Sequence, residues 1–344
     1  MLFFRYFAFL FFCIFLYSCK NNSENKFSNS IKSKIDILSE SIQKEPDNDK
    51  LLYERATYNY KRNNFELAIF DLNKCFEIDS SSYKYNYLLA EIYLKYLSKG
   101  DLTKGDLFER HTKKALILNN NDFKIYNLFA EWCLINRQFE DAIKYLNKSL
   151  EIEYNQAKTH MNLGYSFKQI NRQESAIDCF LNALNIDSEY KEAYMQLAVI
   201  YHGELDSLAI NYYNTAIKLD PKDETALYNK AKFYQDIQDW NKALDAYSKL
   251  HKINPFHPEG HYNIGFIHME LGLYDIASNN FSDAIYSNAY FFEAYYARGH
   301  CFETLGNIAQ AEVDYRRSVE INPDYVFAKK ALNNLIKKNK KFKK

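Results

Sequence analysis

Three prolines set a ruler along this chain. Pro221 and Pro255 lie 34 residues apart, and Pro323 lies 68 beyond Pro255. Small residues recur in the same frame at Ala56, Ala90, Ala130, Gly164, Ala198, Ala231, Gly265 and Gly299. Twelve residues after most of them stands a second small residue: Ala68, Ala142, Ala176, Ala243, Ala277 and Ala311. Four further on comes a bulky one: Leu72, Leu146, Phe180, Tyr247, Phe281 and Tyr315. A third set follows nineteen residues after the first, at Cys75, Ser149, Ala183, Leu250, Ala284 and Ser318. A period in this range marks a chain built by stacking one supersecondary unit on copies of itself. Only 9 glycines and 5 prolines in 344 residues leave too little turn chemistry for a sandwich, barrel or propeller, so the unit is helical.

The pattern resembles the tetratricopeptide repeat, a helical hairpin of 34 residues. That resemblance implies an all-α, right-handed superhelical solenoid of about eight hairpins with terminal capping helices. The repeats read as 49–82, 83–122, 123–156, 157–190, 191–223, 224–257, 258–291 and 292–325, the second carrying six extra residues and the fifth lacking one. Pro46 supports this register, because five periods plus six minus one is the 175-residue distance to Pro221. Small residues where two helices cross let the backbones approach, and the bulky residues then fill the space between neighbours. No repeat is stable alone, since each buries its face on the next. Polar residues such as Asp79, Asp187, Asp220, Asn254 and Asn322 close the second helices.

Residues 31–48 read as the second helix of a degenerate leading repeat. Residues 326–344 read as a capping helix, with Phe327, Ala331, Leu332 and Leu335 at helical spacing, and a tail holding six lysines among its last eight positions. The six-residue insertion points to a protruding loop over Leu97–Gly105 between the helices of the second repeat.

The first residues read as a sorting signal. Arg5 precedes an apolar run from Tyr6 to Leu16, 11 residues or about 16 Å as a helix, too short for a bilayer core. Such a run is the apolar region of a signal peptide spanning 1–18. Leu16-Tyr17-Ser18-Cys19 resembles the lipobox of bacterial lipoproteins, although Tyr17 is bulkier than that family places there. The resemblance implies lipidation of Cys19 as the mature N-terminus, followed by a polar tether over 19–30. Lys20, in place of the aspartate that retains lipoproteins in the inner membrane, favours the outer membrane, on its periplasmic or surface side.

Little in the sequence carries chemistry. No phosphate-binding loop, dinucleotide fingerprint or nucleophile elbow occurs, and no catalytic residue or cofactor is expected. His257 and His261 have the spacing of two metal ligands on one helix, but Pro258 starts a helix between them, so no metal site is expected. Cys75, Cys133, Cys179 and Cys301 fall at packing positions and read as buried thiols, with one disulfide left open. The 44 basic and 44 acidic residues balance, which points away from nucleic acid, and no small-molecule substrate is expected.

The resemblance does point to a binding surface. In such solenoids the first helices line the concave face, through positions two, five, six, nine and twelve of each repeat. Position six runs Asn162, Gln196, Asn229 and Asn263 across four consecutive repeats. Amide side chains both donate and accept, so such a row pairs with a peptide backbone whatever its side chains. Tyr228, Tyr262 and Tyr296 at position five, with Tyr165 and Phe266, supply apolar contact. Position two is basic at Lys50, Lys84, Lys124 and Lys158, then mostly acidic at Glu192, Glu259 and Glu293, a gradient suited to orienting a dipolar partner. The carboxylate clamp of chaperone-binding relatives, Lys at five and Asn at nine of the first of three repeats, has no counterpart in Tyr53 and Thr57, Tyr87 and Glu91, or Asn127 and Glu131. The expectation is a membrane-anchored envelope lipoprotein serving as a non-enzymatic adaptor, holding a partner peptide or helix in its groove. A periplasmic carrier of secreted clients and a glycan-binding accessory protein remain as alternatives.

Overall fold

The computed structural model describes residues 33–342; the segments read above as a signal peptide and a tether, with Cys19, lie outside the described residues. Among the described residues there are helices and no strands. The chain divides into two units, Met1–Asn136 and Arg137–Lys344.

The first unit contains α1 (Lys34–Lys44), α2 (Asp49–Lys61), α3 (Phe65–Ile78), α4 (Tyr83–Ser98), a 3-10 turn (Leu102–Lys104), α5 (Gly105–Leu118) and α6 (Phe123–Ile135). Here α2 pairs with α3, and α4 with α5, as antiparallel hairpins. The second unit begins with α7 (Phe139–Ile152). It continues through α8 (Ala157–Gln169) and α9 (Gln173–Ile186), α10 (Lys191–Gly203) and α11 (Leu208–Leu219), α12 (Glu224–Asp236) and α13 (Trp240–Ile253). It ends with α14 (Pro258–Glu270) and α15 (Tyr274–Ser287), α16 (Phe292–Thr304) and α17 (Ile308–Ile321), and α18 (Val326–Phe342). From α8 to α17 each successive pair forms a hairpin.

Two kinds of turn alternate, and each has a local cause. Inside each of these hairpins one residue takes a left-handed backbone: Asn63, Gly100, Asn171, Leu205, Gln238, Gly272 and Gly306; Arg137, between α6 and α7 in the sequence, does the same. This is how a helix commonly stops, and glycine is the residue that takes it without strain. Between hairpins the closing residue is extended, and its side-chain oxygen accepts the N–H two residues on. Asp79 does this for Ser81 (2.9 Å), Asp187 for Glu189 (3.0 Å), Asp220 for Lys222 (3.2 Å), Asn254 for Phe256 (3.1 Å) and Asn322 for Asp324 (3.1 Å). The polar residue that ends each of these second helices therefore also builds the turn after it, with a proline next in three of the five.

The insertion in the second repeat departs from the sequence expectation. Leu97 and Ser98 belong to α4, Leu97 is buried, and Gly105 already opens α5. Half of the extra length goes into lengthening α4 and half into the 3-10 turn. Extending a helix satisfies the added backbone groups internally, which a protruding loop does not.

The core follows the repeat. Ala56, Ala90, Ala198 and Ala231 are fully buried, as are Ala68, Ala176, Ala243, Ala277 and Ala311. Leu72, Phe180, Tyr213, Tyr247, Phe281 and Tyr315 fill the spaces between helices. Two arginines tie three helices each in the same way. Arg55 makes a two-pronged pair with Asp71 (2.8 and 2.7 Å) and donates to Ser39 of α1. Arg298 repeats these contacts with Asp314 (2.8 and 2.7 Å) and with Ser282 of α15. Helix α1 thus packs on its neighbour as α15 packs on α16, in the place of a second helix.

Candidate peptide-binding face

First helices of neighbouring hairpins touch one another, α2 with α4 in the first unit, α10 with α12 and α14 with α16 in the second. In the second unit they present the residues of positions five, six, nine and twelve together.

The amide row has two kinds of member. Asn162 and Asn229 are half-buried, and neither amide bonds to any described residue. The other two are engaged. Gln196 accepts a hydrogen bond from Lys168 Nζ at 2.9 Å, and Asn263, only 7% exposed, donates to the Tyr228 hydroxyl at 3.1 Å. Burial holds the Lys168 ammonium below its ordinary pKa, because leaving water disfavours the charge.

The aromatic residues divide similarly. Tyr165 is exposed, its ring 6.1 Å from Phe139. Tyr228 stacks on His257 with centroids 5.3 Å apart. Tyr262 lies between Phe291 (5.0 Å) and Phe281 (5.5 Å), while Phe266 is half-buried beside it on α14. Tyr296 meets Tyr325 at 5.5 Å and Tyr315 at 5.8 Å. Burial raises the Tyr262 and Tyr296 hydroxyls above their usual range, so both stay neutral donors.

One network on this face escaped the sequence. His202 Nε2 meets Asp236 Oδ2 at 3.0 Å, His202 Nδ1 meets the Tyr213 hydroxyl at 3.1 Å, and Lys232 also pairs with Asp236. Positions nine and twelve of adjacent repeats carry Lys232 and His202, and placing those two side by side was the available signal. The contacts knit α10, α11 and α12 together.

Other candidates are structural. His257 caps α14, its Nδ1 accepting from the Gly260 N–H at 3.1 Å, and His261 Nε2 donates to the Pro255 carbonyl at 2.8 Å. Among the described residues no group of His, Cys, Asp and Glu is arranged to hold a metal. Cys75, Cys133, Cys179 and Cys301 are all buried. Desolvation pushes the Cys75 and Cys301 thiols up to about 12 and the Cys179 thiol up to about 11, far from a reactive thiolate.

Stacked helical hairpins, one small-residue crossing per hairpin and a face lined by first helices define a repeat scaffold suited to protein–protein interaction. Tetratricopeptide repeat family models match residues 157–190, 225–257 and 292–325. The chain belongs to the tetratricopeptide repeat proteins. It is similar to the human Protein O-mannosyl-transferase TMTC3, at 24% identity over 173 residues, covering 46% of this chain and 19% of that protein. It is also similar to the Pyropia yezoensis protein ycf37, at 30% identity over 145 residues, covering 40% of this chain and 80% of that one. The chain spans about a fifth of the length of the first curated relatives it matches. Among solved structures, Pseudomonas aeruginosa pilF shares the fold with a TM-score of 0.53 at 18% identity, covering 64% of this chain and 97% of that one.

Proposed function

We propose that this chain is a lipid-anchored adaptor of the bacterial cell envelope that holds a partner polypeptide on its first-helix face. The observation that carries the reading is Asn162 and Asn229, two half-buried amides without a hydrogen-bond partner among the described residues. Half-buried amides with open donors and acceptors are suited to the N–H and C=O groups of an extended peptide, at about 1 kcal/mol per bond. Tyr165, Tyr262, Phe266 and Tyr296 add apolar contact without catalytic chemistry, and the adaptor is non-enzymatic. The anchor rests on Leu16-Tyr17-Ser18-Cys19 alone.

Two measurements test it. Co-purification from detergent-solubilised envelopes compares the wild type with the combined Asn162→Ala, Asn229→Ala, Asn263→Ala variant, after circular dichroism shows both folded. Loss of a wild-type partner from the variant supports the face; an unchanged partner set removes it. Metabolic labelling with a fatty acid should mark the wild type and not Cys19→Ala, and label in both would remove the anchor at Cys19.

A further inference from the structure

A cavity of about 510 Å³ opens in the second unit between α16 and α18. Tyr296, His300 and Glu303 line it from α16, one helical face at steps of four and three residues. Phe327, Lys330, Asn334, Lys337 and Lys338 line it from α18 in the same rhythm, and Tyr315 reaches it from α17. Its volume falls within the range of about 300–1,000 Å³ common to ligand sites.

The charge in this cavity is unbalanced. Glu303 is its one acidic lining residue and is already used within the fold, accepting the Tyr315 hydroxyl at 2.9 Å and pairing with Lys338 at 3.1 Å. Among the described residues, Lys330 and Lys337 have no acidic partner, and the Asn334 amide between them has no hydrogen bond. Beside these donors stands an apolar surface. Phe327 is 64% exposed, and its ring lies 6.4 Å from that of Tyr296. Two unpaired ammonium groups, an open amide and an exposed ring along one face of α18, with Tyr296 of α16 beside the ring, fit a ligand with anionic groups next to an apolar side chain.

We propose that this cavity binds an acidic segment of a partner polypeptide, with its carboxylates on Lys330 and Lys337 and a neighbouring apolar side chain on Tyr296 and Phe327. The assignment rests on the first-helix face being a polypeptide-binding surface, which the cavity continues through Tyr296. Asn334 lies one turn from both lysines and donates to the same carboxylates or to the peptide carbonyls. An anionic membrane is a poorer match. A flat surface would meet exposed Lys329 on the same helix, which does not line the cavity, as readily as Lys330.

The test is fluorescence anisotropy on the full chain, using a labelled peptide carrying Glu-Glu-Phe and a Gln-Gln-Phe peptide as its neutral counterpart. The acidic peptide should bind with a salt-sensitive affinity, and the neutral one should bind at least about tenfold more weakly, the loss of roughly one charge-assisted bond. Lys330→Ala combined with Lys337→Ala should weaken the acidic peptide at least as much. Phe327→Ala should weaken it while preserving the salt dependence, and Lys329→Ala should leave it unchanged. Equal binding of both peptides, or wild-type affinity in the double lysine variant, overturns the proposal. So does an equal loss in Lys329→Ala, which would signal diffuse surface charge, and so does inorganic phosphate binding at these lysines without peptide binding. Peptide binding that survives the triple asparagine variant supports the cavity whatever happens to the envelope partner, so the two readings fail separately.

Discussion

A Cβ placed on Gly164 would stand 2.6 Å from Cε1 of Phe180. The two residues face each other across the α8–α9 hairpin, and the ring occupies the volume a methyl group would need. The same relation holds for Gly265 with Phe281 (2.8 Å) and Gly299 with Tyr315 (2.9 Å). Gly164→Ala gains about 1 kcal/mol of helix propensity but overpacks a core, which costs about 1–3 kcal/mol. The ring is fully buried and the Ala176 backbone carbonyl stands 3.1 Å from the same methyl group, so the clash wins. Thermal unfolding should show Gly164→Ala less stable than wild type, and Gly164→Ala with Phe180→Leu should recover part of the loss. Strictly additive effects of the two substitutions would refute this coupling.

Leu205 holds a left-handed backbone, φ 54°, at the turn between α10 and α11, with a side chain 54% exposed. A residue with a Cβ pays about 1–2 kcal/mol there, and glycine gives back about 0.5–1 kcal/mol through the freedom of the unfolded chain. Leu205→Gly should therefore raise stability by about 0.5–1 kcal/mol. A melting temperature at or below wild type would show that the exposed leucine contributes contacts larger than the strain.

Arg298 and Asp314 form a buried two-pronged pair, the carboxylate side chain only 4% exposed. Removing the arginine alone strands that carboxylate, at a cost of about 3–5 kcal/mol. Arg298→Met should be severely destabilised in urea unfolding, and Arg298→Met with Asp314→Leu much less so. Arg298→Lys should not rescue, because an ammonium has no fork to match the carboxylate and Ser282 together. Similar stabilities for Arg298→Met and wild type would remove the pair from the core's energetics.

Burial lowers the His111 and His251 imidazoles to about 4, and depresses His160 as well. Each is held neutral in the fold, while the unfolded chain takes up a proton near pH 6.5. The unfolded state thus binds more protons across this interval, and stability falls as pH drops from about 6.5 towards 4. His111→Gln, which keeps a donor for the Asn86 side-chain oxygen Oδ1 that His111 Nδ1 meets at 3.1 Å, should show a shallower fall. A flat melting temperature between those two pH values would contradict the assignment.

Much of the architecture is written locally. Gly164, Ala176 and Phe180 recur with a fixed spacing because every hairpin repeats one crossing, so a single chain reveals its own register. The polar residues ahead of the prolines were equally legible, since an Asp or Asn closing a turn acts on the N–H two residues away. The insertion was not. Its glycines suggested an open loop, whereas Leu97 finds a buried site one turn further along α4, and only packing decides that.

The candidate face shows the same division. Its position-six amides are visible in sequence as a row, because they repeat with the period of the hairpin. Their states are not visible, because Asn263 meets Tyr228 from the preceding repeat and Gln196 meets Lys168, partners 35 and 28 residues away. The cavity between α16 and α18 lay further still from sequence reading, since it depends on which lysines of the last helix lack carboxylates around them. Sequence alone determined the repeat, its register, the helical class and the residues that build each turn, all of which follow from short-range sterics and periodic burial. Tertiary structure decided which polar groups remain open, because a hydrogen bond between repeats depends on a separation of a few ångströms that spacing along the chain does not encode.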